Sequence, residues 1–548
     1  MNPQPPVTRM RTAGTSSADA GALADFPTLR DQIETWKNVL AQTDWTPWLI
    51  IGLATFLRFF LLGIKPPHFD EGINGWFVDT SIVKNGFYKY DPTNYHGPLH
   101  FYVLFLSQAL FGRNLWALRL PVVLVSTTCV WLTLKFEPFV GKTVVRMAAL
   151  AMAVSPGFVF YGRYSIHEVW LLLFTMLFIF GLLGLWKFGT PNYLWCAGMG
   201  VTGMILSKET YIIHVGCAVI AAAVCSVSNS LSPMPDARRA RQTWDYVDLG
   251  IVIATGVALL VFFYSGTFFH WNGVKGLYQA YSAWFATGHE GHGHEKPWYY
   301  WLKLILRYEL PVLAGLILCS FSLQLKNPSL RYLAIYGVGT LIVYSYVHYK
   351  TPWCIISFIW PFLFIFGAAL LVIALRYKRA TYVISAILLT ASLGASLGST
   401  IWLNYFRCTT ETEPYVYVQT YNDIYKLTDP LLKLAKQNPL AYQLTGHIIR
   451  GSAYPLPWIL DDFTHIGYYE HDNLPAKLDG DFLLVQQDKI AAVEAKLHDA
   501  YYTEPLTIRP YQDPSKAYFN ARIFKAFFPG RVPDFIGKAT ASEQSTSQ

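Results

Sequence analysis

Charge is what this 548-residue sequence has least of: only 14% of its residues are Asp, Glu, Lys or Arg, against about 25% in ordinary soluble domains. With 53% hydrophobic residues and a mean hydropathy of +0.29, so long a chain cannot be one water-facing globule. Its net charge of +8 is scattered over short loops rather than clustered, which argues against nucleic acid as a partner. The seven cysteines (Cys129, Cys196, Cys217, Cys225, Cys319, Cys354 and Cys408) lie almost all in apolar segments without CxxC spacing. Neither a disulfide framework nor a cysteine metal cluster is expected from them. No cleavable signal-peptide pattern opens the chain; Met1 to Ala24 is polar, rich in small residues and expected to lack fixed structure.

What is there in quantity is apolar sequence in runs of roughly 20 residues, each enough to cross a hydrocarbon core of about 30 Å. About eleven spans are expected, near Thr46–Gly63, Leu118–Leu134, Thr143–Tyr161, Val169–Trp186, Tyr193–Leu206, Ile212–Ser226, Leu249–Ser265, Tyr300–Phe321, Tyr332–Tyr346, Trp353–Leu375 and Thr381–Leu403. Aromatics make up 16%, which suits span ends anchored at the interfaces. Before the first span, Phe26–Gln42 carries Leu29, Ile33, Trp36 and Leu40 at helical spacing and is expected to lie on the membrane surface. Leu99–Phe111 is apolar but short, so it is read as a re-entrant or interfacial element and not as a crossing.

Basic loops at Lys135/Lys142/Arg146, Lys187, Arg238/Arg239/Arg241, Lys326/Arg331 and Arg376/Lys378/Arg379 then share one side with the amino terminus. By the positive-inside rule that side is the cytoplasm. The domains follow: a cytoplasmic segment 1–44, a transmembrane domain 45–403 with outer loops 65–98 and 267–298, and an outer domain 404–548. In the last, Tyr415–Gln419 and Asp481–Gln486 are predicted strands, and Asp429–Gln437 and Asp488–Leu497 predicted helices, which makes a small α/β domain.

The most informative stretch is Lys65-Pro66-Pro67-His68-Phe69-Asp70-Glu71, which sets two acids just beyond the double proline that stops the first span. As a surface doublet it would be a solvated pair. Beside an apolar wall, two carboxylates are costly unless they are paired or used. The acidic pair, together with Tyr90-Asp91-Pro92 through Tyr102 and Gly112-Arg113 through Arg119-Leu120-Pro121, resembles the first outer loop of GT-C glycosyltransferases, including protein O-mannosyltransferases and lipid A aminoarabinose transferases. Further fragments are similar to the flippase activity-associated proteins linked to archaeal N-glycosylation and their bacterial members. They are Ser155-Pro156 with Arg163-Tyr164 and Glu168, Ser207-Lys208-Glu209-Thr210, His294 to Tyr299, Tyr349-Lys350-Thr351-Pro352-Trp353, and Tyr454-Pro455-Leu456-Pro457-Trp458.

The resemblance implies a polytopic α-helical membrane protein of GT-C-like fold that moves a sugar from a polyprenyl-phosphate donor to a glycan, lipid-linked or protein acceptor at the outer face of the cytoplasmic membrane. It makes Asp70 the base or acceptor-orienting group, with Glu71 and Glu168 as further catalytic carboxylates. Arg163, Lys208 and Lys350, at expected outer span ends, become donor-phosphate ligands; their alternative role is snorkelling. His96, His294, Lys296 and Trp298 are candidate acceptor or loop residues. The resemblance also admits a divalent cation (Mg or Mn). Gly288 to Glu295 holds three histidines and two glutamates, but its glycines leave no preorganised metal site, and binding of an acceptor or movement as a lid is the expected role. The tail domain has no Gly-rich phosphate loop, which disfavours a nucleotide-sugar donor. A flippase or flippase-associated factor is the alternative, and the lack of a convincing internal repeat counts against it.

Overall fold

The computed structural model describes residues 43–94, 96–231, 241–290, 293–320, 327–376, 379–469, 473–510, 512 and 514–537. The expected surface helix Phe26–Gln42 and the basic residues Arg238, Arg239, Lys326 and Lys378 lie outside them. The chain divides at Pro47 into two units, and everything that follows belongs to the second, Trp48–Gln548, apart from the first turn of its opening helix. Six helices among the described residues are long and apolar enough to cross a membrane: Leu115–Val140, Glu168–Lys187, Tyr211–Ser228, Tyr246–Tyr264, Pro352–Ala369 and Arg379–Phe406. The chain is a multi-pass membrane protein.

In chain order the helices that matter here are α1 (Thr46–Phe59), α2 (Phe69–Phe77), α3 (Leu99–Phe111), α4 (Leu115–Lys135), α5 (Lys142–Val154), α6 (Pro156–Tyr161), α7 (Glu168–Lys187), α8 (Pro191–Ser207), α9 (Tyr211–Leu231), α10 (Tyr246–Tyr264), α11 (Asn272–Glu290), α12 (Tyr300–Tyr308), α13 (Leu310–Cys319), α14 (Pro328–Tyr346), α15 (Ile355–Arg376), α16 (Arg379–Ile401) and α17 (Ile424–Gln437). Two expected spans are broken. Thr143–Tyr161 divides into α5 and α6 because Ser155 caps a new helix with Pro156 in its first turn. Tyr300–Phe321 divides into α12 and α13 at Glu309, with Pro311 just inside the second helix. The breaks meet: buried Glu309 accepts from Ser155 Oγ at 2.6 Å and from the Gly157 N–H at 2.7 Å. Each helix interruption thus supplies the polar partners that the other leaves open.

The stretch 267–298, expected as an outer loop, carries the 19-residue helix α11. Its Gly273 and Gly276 pack against Tyr264 and Tyr90, where a β-carbon would lie 2.0 Å from the Tyr264 carbonyl and 2.9 Å from the Tyr90 ring.

The carboxy-terminal part is the expected α/β domain, built on one six-stranded sheet of order β2-β1-β3-β5-β4-β6. Its strands are β1 (Thr445–Ile449), β2 (His465–Tyr469), β3 (Phe482–Gln486), β4 (Ala500–Leu506), β5 (Ser515–Asn520) and β6 (Phe535–Ile536). β1 pairs in parallel with β2 and β3, and the other pairings are antiparallel. Strand alternation sends Ile448, Phe482, Leu484 and Phe519 to the face covered by α17, and Leu483, Val485 and Tyr518 to the other.

The expected strand Tyr415–Gln419 is not one. Val418 sits at φ 54, the left-handed region, and the carbonyls of Tyr415 and Tyr417 accept from Tyr161 Oη and His68 Nε2 rather than from a neighbouring strand. This irregular segment ties the sheet domain to the helical domain.

Candidate active site

The site begins where α1 ends. The turn after it, residues 60–67, presents a row of carbonyls with no helical partner, and two arginines take them. Arg163 donates to the carbonyls of Leu57, Arg58, Phe60 and Leu61. Arg119 donates to those of Leu62, Lys65 and Pro66. Lys65 is buried, with Nζ 3.6 Å above the Tyr164 ring. The double proline is therefore held as a fixed corner from which α2 starts. His68 caps α2: its Nδ1 accepts from the Asp70 N–H at 3.1 Å, and Glu71 reaches back to the His68 N–H at 2.9 Å.

The adjacent acids part company here. Glu71 is fully buried and takes both arms of the Arg119 fork, Nε to Oε1 at 2.8 Å and Nη2 to Oε2 at 2.7 Å, plus the Ser165 N–H at 2.9 Å. Burial works against its charge, but Arg119 and the two backbone N–H groups outweigh it and hold the carboxyl below its ordinary range. Asp70, one residue earlier on the helix, is about one-third exposed and lines a cavity of about 700 Å³. Its nearest basic group is His68 Nδ1 at 3.9 Å, and that nitrogen is already the acceptor of a backbone N–H, with Nε2 turned to the Tyr417 carbonyl. Both ring nitrogens of His68 are thereby engaged with backbone groups, and no Lys or Arg stands at ion-pair distance from Asp70 among the described residues.

Across the cavity the remaining acids are paired. Glu168 is the first residue of α7 and Lys208 follows the last residue of α8, positions that both helix dipoles favour. The two side chains form a buried ion pair. Glu209 meets His96 Nδ1 at 3.1 Å; burial pushes its carboxyl up, and His96 and Lys208 more than offset that. His167 lies between His96, tilted against it at 4.8 Å between ring centroids, and His100, edge-on at 4.5 Å, and its buried Nε2 has no hydrogen-bond partner among the described residues.

The cavity thus brings together Asp70, Glu168, Lys208, His96 and His294 of the sequence candidates, the last bonded through Nδ1 to Tyr417 Oη at 2.6 Å. Glu71, Arg163, Lys350, Lys296 and Trp298 are not on its wall. Arg163 is spent on carbonyls, as described above. Lys350, buried, donates to the carbonyls of Lys296, at 3.1 Å, and Val347. Both cations are turned toward backbone carbonyls, and neither stands on the cavity wall where a phosphate would meet it. Lys296 reaches toward the Tyr417 ring, 5.7 Å away, and Trp298 is two-thirds exposed.

Of the histidine-rich loop, His292 and the side chain of His289 lie outside the described residues. Among those described, no group of three His, Cys, Asp or Glu side chains is placed to hold a metal. A divalent cation that prefers several oxygen ligands fits poorly in a wall whose carboxylates Glu168 and Glu209 are already neutralised. Sequence reasoning gave no role to Arg119, though a lone charge within an apolar helix and the Arg-Leu-Pro motif mark it. It missed Arg509, a cavity residue from the sheet domain that no local signal identifies.

The family model of dolichyl-phosphate-mannose-protein mannosyltransferases matches residues 95–264, which cover α3 through α10 with Glu168 and Lys208. No curated protein matches the chain. Among solved structures, ArnT from Cupriavidus metallidurans bound to undecaprenyl phosphate is similar at 14% identity and a TM-score of 0.57, over 86% of this chain and 97% of ArnT. The apo state of the same protein gives 13% identity and a TM-score of 0.54, over 89% and 98%. The archaeal oligosaccharyltransferase AglB from Archaeoglobus fulgidus, in complex with an inhibitory peptide and a dolichol-phosphate, aligns at 11% identity and a TM-score of 0.48, over 87% and 74%. At these identities the likeness to ArnT is one of fold, over most of this chain and nearly all of ArnT. The chain is a multi-pass membrane protein with the fold of the GT-C glycosyltransferases.

Proposed function

We propose that the protein is a glycosyltransferase that moves a sugar from a polyprenyl-phosphate donor to a hydroxyl of a glycan, lipid-linked or protein acceptor at the outer face of the cytoplasmic membrane. The observation that carries this reading is the separation of charges in the cavity. Glu168 and Glu209 each form a close ion pair or hydrogen bond with a basic side chain, whereas Asp70, at the cavity wall, has no Lys or Arg within ion-pair distance among the described residues. A carboxylate left free in a cleft is the group that can accept a proton.

In the reaction Asp70 takes the proton of the acceptor hydroxyl. The oxygen attacks the anomeric carbon, the bond from that carbon to the phosphate oxygen breaks, and the polyprenyl phosphate leaves with the electron pair, inverting the centre. The α2 cap fixes the direction of Asp70, since its own N–H is bonded to His68 and its neighbour Glu71 is locked to Arg119. The outer-face assignment is supported by the loop charges: the basic loops fall on the side opposite the acidic corner.

The test is made in cells. Surface glycans and lipid-linked saccharides are compared by mass analysis in wild type, deletion and Asp70→Asn strains. The expected result is loss of one sugar with accumulation of its lipid-linked donor in both mutants. Normal glycans in the Asp70→Asn strain would remove Asp70 as base.

A further inference from the structure

Arg509 stands on the segment that follows β4 in the sheet domain, yet its side chain lines the cavity shared with Asp70. It is held there from three sides. The preceding residue Ile508 accepts from the Tyr421 N–H at 2.8 Å, Nη2 donates to Ser452 Oγ at 2.8 Å, and the guanidinium lies 4.0 Å over the Phe69 ring. Phe69 immediately precedes Asp70, so the stacking couples the sheet domain to the acidic helix.

The side chain is 4% exposed, and its Nε is buried with no hydrogen-bond partner among the described residues. A guanidinium has five N–H donors in a planar fork, and leaving any of them unmade inside a protein is costly. Burial and nearby Arg450 lower its pKa to about 10, with Asp70 acting the other way, so it is a cation at neutral pH. The other long-chain cation on the wall, Lys208, is neutralised by Glu168. Among the described residues the cavity wall therefore offers an oxyanion one guanidinium, anchored through Nη2 to Ser452 while Nη1 makes no hydrogen bond.

We propose that Arg509 is the residue that holds the phosphate of the polyprenyl carrier, so that the sheet domain completes the active site rather than merely covering it. The assignment rests on the polyprenyl-phosphate reading above. Phosphate suits the fork because paired N–H groups can meet two of its oxygens. The same contact would stabilise the charge that grows on the phosphate as the sugar departs.

The probe is undecaprenyl phosphate itself, added to the purified full-length protein in detergent micelles, with binding read by native mass spectrometry. Arg509→Gln is expected to weaken binding on the order of 10- to 100-fold. Arg509→Lys, which keeps the charge but loses the fork, should fall between it and wild type. The thermal transition of each variant reports folding, and should Arg509→Gln lose it, the Lys variant decides by the same measure. Wild-type affinity in the folded variants would overturn the proposal. Retained carrier binding with loss of transfer would place the oxyanion on the acceptor, and would overturn it equally. A wild type that does not bind undecaprenyl phosphate at all would sink the donor reading and the proposal together, whereas binding lost only in the Arg509 variants separates the two.

Discussion

Asp70 and Glu71 show how far one residue of displacement on a helix changes the chemistry of a carboxylate. Glu71 faces inward, where a two-armed bond to Arg119 and two backbone N–H groups make its charge affordable. Removing that charge strands a buried guanidinium, so Glu71→Gln should destabilise the protein by about 3–5 kcal/mol, read as thermal unfolding in detergent. The pH dependence has a definite sign. The folded carboxyl titrates below its ordinary value of 4.5, so its stabilisation is complete above that value and disappears as pH falls through the folded one. Wild-type stability should therefore drop more steeply below about pH 4.5 than that of Glu71→Gln, and parallel curves would show that the pair contributes nothing. The Glu168–Lys208 pair is a second case. Lys208→Met should cost about 3–5 kcal/mol, and Glu168→Gln introduced beside it should recover part of the loss; additive losses would mean that the two side chains do not act as a pair.

At the scale of elements, the helix α2 is positioned by what it lacks. Gly72 and Gly75 stand three residues apart on one face. A β-carbon at Gly72 would come within 2.5 Å of Pro455 Cα, and one at Gly75 within 2.5 Å of the Trp458 ring. The absent side chains allow the Tyr454–Trp458 motif of the sheet domain to lie directly on the acidic helix. Gly75→Ala should push the two apart, at about 1–3 kcal/mol, and should move Asp70 out of register with the cavity. Faster amide exchange over residues 69–77 and 455–460, together with slower transfer, is the expected result; unchanged exchange would mean that the contact is dispensable. The polar breaks in the helices follow the same logic, because buried Glu309 is tolerated through the donors that Ser155, Gly157 and Tyr415 bring to it.

For the whole molecule, the question is which side of the membrane holds the cavity. If the acidic corner faces outward, an introduced cysteine at Asn85, exposed in the stretch after α2, should react with a membrane-impermeant thiol reagent in intact cells when the native cysteines are replaced. One at Lys142, exposed at the start of α5, should react only after the membrane is opened. The reverse pattern would turn the molecule over and remove the compartment in which an outer lipid-linked donor is met.

Several features were legible in the sequence because they depend on near neighbours. Apolar run length set the membrane class, the double proline set the corner after α1, and a short apolar run marked β3, since each is governed by backbone geometry within a few residues. The motifs Arg-Leu-Pro and Arg163-Tyr164 were visible, but not their task of binding the carbonyls of the α1 corner. Tyr415–Gln419 reads as a strand by composition, and only contacts with Tyr161 and His68, some 250 and 350 positions distant, turn it into a connector. What the tertiary structure alone decided is which charges remain at liberty. Arg163, Lys350 and Glu71 are consumed by partners far away along the chain, and Asp70 and Arg509 are brought to one cavity from opposite ends of it. The physical reason is that helix and strand periodicity is a local property, whereas the state of a buried charge depends on whatever distant group the fold places within about 4 Å of it.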